Sequence, residues 1–133
     1  MGVKLAKNAI DLGIVTNNGE RALGFYRDLL GFQPDGIIPF PGIGVINRLK
    51  CGDTTLKVLV LEKAPAADLA GGGFIAAPGF RYITITVSNL QEIVAACKEA
   101  GCKVPVDIRE LKPGITVAMV EDPDGNTVEF MGV

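Results

Sequence analysis

Residues 9 to 16 read "AIDLGIVT". Set out as an extended chain, Leu12, Ile14 and Thr16 fall on one side and Asp11, Gly13 and Val15 on the other. The period then lengthens: in "NNGERALGFYRDLLGF" the residues Ala22, Phe25, Tyr26, Leu29 and Leu30 recur at helical spacing, which predicts an amphipathic helix. Asn17 followed by Glu20 reads as a capping box at its start, and Gly31 stops it. Alternating apolar runs near 32–38, 43–51 and 54–62, divided by the turns "FPG" and "CGD", predict three further strands. The order is therefore strand, helix, three strands.

After a stretch rich in Ala, Gly and Pro, "EKAPAADLAGGGFIAAPGF", the same order begins again. "RYITITVSNLQEIVAACKEAGCKVP" lies over "IDLGIVTNNGERALGFYRDLLGFQP" with one residue omitted near the helix end, so that Tyr82 falls on Asp11. Ile83, Ile85 and Val87 repeat the helix-facing side of the first strand, which leaves Tyr82, Thr84 and Thr86 on the opposite side. Leu90, Ile93, Val94, Cys97 and Ala100 form the second helical stripe. Strands near 103–110, 115–121 and 127–132 complete the second copy. "DPDGN" makes a tight turn, with Asp122 and Asp124 as turn formers, and if Val128 and Phe130 pack on the helix then Glu129 faces away from it.

Composition removes several classes of function. The chain of 133 residues, 48% hydrophobic and 21% charged, suffices for one well-buried domain. Its net charge of -2 and scattered basic residues argue against a nucleic-acid partner. A mean hydropathy of +0.34 is high, yet no apolar run reaches the roughly 18 residues of a membrane span. The excess is expected to line a cavity or a homodimer interface. "MGVKLAKN" lacks a signal-peptide core, so a cytoplasmic location is expected. Histidine is absent, which removes Ser-His and Cys-His catalysis and every histidine-ligated metal site. Cys51, Cys97 and Cys102 are read as structural thiols rather than a disulfide framework. "GGGF" at 71–74 is no phosphate loop, because no strand enters it and no helix bearing Lys-Ser or Lys-Thr leaves it.

The segments "ALGFYRDLLGF", "ITVSNLQEIVAACKEAG" and "VEDPDGNTVEF" resemble the vicinal oxygen chelate superfamily, the glyoxalase, bleomycin resistance and ring-cleaving dioxygenase group. The resemblance implies an α+β fold of two tandem βαβββ modules, a curved mixed sheet around a pocket, often as a homodimer. On this reading 1–133 is a single domain, with module 1 at about 8–63, a linker at about 64–79 and module 2 at about 80–133. Metal-using members hold an ion with four inward residues, one on the first and one on the last strand of each module. By motif position these are Asp11, Lys57, Tyr82 and Glu129, although a slip at "CGDTTLK" would put Leu56 or Val58 in the place of Lys57. Only Glu129 matches the usual ligand types, and an ammonium at the site opposes a divalent ion. No metal or other cofactor is therefore expected, and glyoxalase and extradiol dioxygenase chemistry fall with it.

Two readings follow. In the first, the protein is a cofactor-free acid-base enzyme acting on a small organic substrate by isomerisation, epimerisation, elimination or epoxide hydrolysis. Asp11 is then the base, its pKa raised in an apolar cavity, and Tyr82 the oxyanion donor. Glu129 is a second acid or base, and Lys57 the charge that keeps both carboxylates tolerable. Val15, Arg48, Leu59 and Thr84 are candidate substrate contacts, and Phe40, Phe74 and Phe80, placed in loops, line the pocket mouth. In the second, the chain is a bleomycin-resistance-type binding protein that sequesters a ligand without chemistry. Aromatic content of 6% without tryptophan weakens ring stacking as its binding force.

Overall fold

The computed structural model describes residues 2–133. Strand β1 (Asp11–Thr16) leads into helix α1 (Gly19–Leu23), which runs on as a π-helical stretch, Gly24–Leu29. Strands β2 (Gln33–Phe40), β3 (Gly44–Cys51) and β4 (Thr54–Leu61) follow. The second copy comprises β5 (Tyr82–Val87), α2 (Leu90–Glu99), β6 (Val106–Lys112), β7 (Ile115–Glu121) and β8 (Thr127–Gly132). Each copy forms one open four-stranded mixed sheet, ordered β1-β4-β3-β2 and β5-β8-β7-β6. In both, the first and last strands pair in parallel and the other neighbours are antiparallel. The chain divides into two compact units between Ala66 and Ala67. Among the described residues no helix is long and apolar enough to cross a membrane.

The helix-facing residues build the core of each unit. In the first, Ala22, Phe25, Tyr26, Ile14, Leu49, Leu56 and Val58 are buried. Phe25 meets Tyr26 edge-on at 4.8 Å between ring centres, a geometry that satisfies the ring quadrupoles. In the second, Leu90, Val94, Cys97, Ala118, Val120, Val128 and Phe130 do the same work, while Ala100, the last member of the predicted stripe, is exposed.

Local departures from the sequence reading have physical causes. The helix cap is Asn18, whose side chain accepts from the Arg21 N–H at 3.1 Å, in place of the Asn17–Glu20 box. Thr16 Oγ1 takes the Asn18 N–H at 3.0 Å and so ties strand end to helix start. The π-helical stretch shows in the Leu30 N–H bond to the Phe25 carbonyl, 2.9 Å and five residues back; one extra residue in the turn lets Phe25 and Tyr26 both face the sheet. A bulge in β2 between Pro34 and Ile37 accommodates Gly36 at φ +100°, a backbone conformation open to glycine.

Asp122 organises the β7–β8 turn. Its Oδ1 accepts from the N–H groups of Asp124 and Asn126 at 2.9 and 2.8 Å, and its Oδ2 from Asn126 Nδ2 at 2.8 Å. Residues 62–81 contain no helix or strand, but the second half of this connection is anchored: Arg81 Nη2 donates to the Gly73 carbonyl at 2.8 Å.

The three cysteines are free. Burial, with the neighbouring Cys102 adding to it, pushes the Cys97 thiol up to about 12, so that its thiolate is scarce at pH 8. Alkylation of the native protein by iodoacetamide at pH 8, read by peptide mass spectrometry, is expected to modify the half-buried Cys51 and Cys102 well before Cys97. Equal labelling of all three would contradict this packing.

Candidate functional site

On the first sheet the β1–β4 register sets Asp11 against Thr55, Gly13 against Lys57 and Val15 against Leu59. Paired residues share a face, so these six lie on the side opposite the helix. The β3–β4 register adds Lys50 beside Thr55, Arg48 beside Lys57 and Ile46 beside Leu59. Lys57 thus stands on this face, and Leu56 and Val58 point to the core.

Asp11 is engaged on both oxygens. Lys7 Nζ lies 2.5 Å from Oδ1 and Lys57 Nζ lies 3.6 Å from Oδ2. The Lys7 hydrogen bond, reinforced by the two ammonium charges, holds the carboxyl below its ordinary value of 3.8. The expectation of a raised pKa for Asp11 is corrected here: the carboxylate keeps its charge throughout the neutral range. Arg48 Nη1 is 3.3 Å from both Oδ2 and the carbonyl of Asp35 on the β2 bulge.

The second sheet repeats this geometry with other side chains. Tyr82 pairs with Thr127, Thr84 with Glu129 and Thr86 with Met131. Glu129 therefore occupies the register position that Lys57 holds in the first unit, and Tyr82 that of Asp11. Thr84 Oγ1 donates to Glu129 Oε1 at 2.8 Å. Tyr82 is 53% exposed, and its ring meets Phe74 edge-on, 6.3 Å between centres.

The remaining aromatic candidates differ in position. Phe40 lies at the end of β2 rather than in a loop, and Phe80 is fully exposed. Sequence reading missed Lys7, Asp35, Lys50 and Thr55. Lys50 and Thr55 carried a usable signal, since strand alternation puts them on the same face as Arg48 and Lys57. Lys7 carried none, because it precedes β1 in an irregular segment. Among the described residues no three His, Cys, Asp or Glu side chains gather closely enough to hold a metal ion.

The model of the Glyoxalase/Bleomycin resistance protein/Dioxygenase superfamily matches residues 9–130. The chain belongs to this superfamily. Solved structures of superfamily members share its architecture. A glyoxalase family protein from Bacillus cereus matches with a TM-score of 0.81 at 14% identity, covering 98% of this chain and 95% of that one. A glyoxalase family protein from Enterococcus faecalis gives 0.67 at 23%, covering 96% of each chain. A lactoylglutathione lyase from Agrobacterium tumefaciens gives 0.64 at 19%, covering 92% of this chain and 91% of that one. At these identities the likeness is one of fold. No curated protein matches the chain.

Proposed function

We propose that this superfamily member acts on a small organic molecule by metal-independent proton transfer, with Glu129 as the group that moves the proton. The observation carrying this reading is the Thr84–Glu129 hydrogen bond at 2.8 Å. It fixes one carboxylate oxygen and leaves the other to accept a proton from an acidic carbon and return it to the same or a neighbouring one. Tyr82, two residues from Thr84 on the same face, supplies a phenol O–H for the developing oxyanion. Asp11 passes from base to positioning charge, because its ion pairs with Lys7 and Lys57 lower its basicity.

The donor set does not fit a divalent cation. In the first unit the positions a metal would use carry Asp11 and an ammonium 3.6 Å from it, which repels a second positive charge. The same tethering of Asp11 favours one further reading, sequestration, in which the face binds a ligand without converting it. The two are separated by incubating the purified protein with a metabolite extract in the presence of a chelator and following it by mass spectrometry. Depletion of one compound with growth of an isomer or elimination product supports proton transfer, and retention of an unchanged compound supports sequestration. Turnover that stops on chelation overturns the metal-independent reading.

A further inference from the structure

The open face of the first sheet is divided by charge. Its rows run Asp11–Thr55–Lys50–Gln33, then Gly13–Lys57–Arg48, then Val15–Leu59–Ile46–Ile38, and finally Leu61–Gly44–Phe40. The first two rows, with Lys7 above Asp11 and Asp35 beside Arg48, carry four cations against two carboxylates. This excess stands in a chain whose net charge is -2. The last two rows are apolar: Val15, Ile38 and Phe40 are 57%, 48% and 42% exposed, and Leu59, Ile46 and Leu61 between them are half-buried. At the floor of the charged half the Thr55 hydroxyl is buried and lacks a hydrogen-bond partner among the described residues.

We propose that this face binds a small organic anion. Its head group sits on Lys57, Arg48 and Lys50, and its apolar body lies along Val15, Leu59, Ile46 and Ile38. Charge complementarity selects the head, because the two carboxylates neutralise only half of the cations and a bound anion balances part of the remainder. Strand geometry sets the body: side chains on one face of a strand repeat every ~7 Å, so an apolar chain of roughly 7–13 Å runs from the Lys57 row to the Leu61 row. Exposed apolar rows beside a charged one suit an amphiphile better than a fully polar ion. Half-exposed Lys and Arg carry no preference for one kind of anion, so a carboxylate and a phosphate head both satisfy the site.

The inference stands on the first sheet and is read by binding alone, so it fails or survives independently of proton transfer at Glu129. The 133-residue chain is titrated calorimetrically with octanoate, octyl phosphate, octanol and octylammonium. At least one of the two anions is expected to bind, more tightly than octanol by tenfold or more, with affinity falling as salt rises; the tighter anion names the head group. The double variant Lys57→Gln/Arg48→Gln is expected to lose at least tenfold in affinity for that anion with an unchanged circular dichroism spectrum. Lys98→Gln, which removes a cation paired with Asp107 on the other unit, serves as the control and is expected to bind as the parent does. Octanol or octylammonium binding as tightly as both anions would overturn the proposal. So would undiminished anion binding by the double variant, or failure of both anions to bind.

Discussion

Glu129→Gln is expected to lower kcat on an identified substrate by 10² to 10⁴-fold while leaving KM within a few-fold. That span is the usual contribution of a positioned acid or base, about 3–5 kcal/mol of transition-state stabilisation. The amide keeps an oxygen able to accept the Thr84 hydroxyl, so the side chain stays in place and only its proton-accepting capacity is lost. Glu129 is half-buried on the open face of β8, with the core contacts of that strand made by Val128 and Phe130. Stability should therefore hold, and a melting curve run beside the kinetics checks it. Asp11→Asn should cost far less, because its charge serves Lys57 and Lys7 rather than the substrate's proton. Turnover within threefold of the parent in Glu129→Gln would remove the carboxylate from the mechanism.

The second large effect lies one residue away. Phe130→Ala is expected to destabilise the protein by about 3–5 kcal/mol, through lost burial and the cavity left behind. Phe130 is 2% exposed, beside Ala118 on β7 and Ile85 on β5, on the face that packs against α2. Ala118, its partner on β7, offers no long side chain to swing into the gap. With m near 1–3 kcal/mol/M, the urea midpoint should fall by about 2 M. Phe80→Ala, which removes the same ring from a fully exposed position, should shift the midpoint hardly at all. If the two variants unfold together, the assigned core is wrong.

The backbone relations behind both expectations were legible in the sequence. Strand alternation put Glu129 and Lys57 opposite the core, and the repeat aligned Asp11 with Tyr82; the parallel registers of β1–β4 and β5–β8 reproduce both relations. These relations are legible because a period-two pattern with one apolar side fixes register. The ionisation of Asp11 was not legible in the same way. It depends on Lys7, which belongs to no element and carries no periodic signal. The surroundings of Phe40, Phe74 and Phe80 were not legible for a related reason. One ends a strand, one packs beside Tyr82 and one meets only solvent, and neither a strand end nor an irregular segment carries a periodic pattern that distinguishes such places. The helix cap slipped by one residue because Asn17 and Asn18 are equally good cap formers, and the π-helical turn downstream has no simple sequence signature.

The matched registers carry a consequence for how such a protein changes over time. Lys50 and Glu121 pair with Thr55 and Thr127, and Lys57 and Glu129 stand opposite Gly13 and Thr84. The same two backbone addresses therefore hold cations in one copy and carboxylates in the other. Adjacent residues on each strand keep the fold, while these addresses are free to be rewritten. A duplicated gene built on this plan can invert the polarity of a binding surface by point substitution, without renegotiating its core, and each half becomes a separate field for trial.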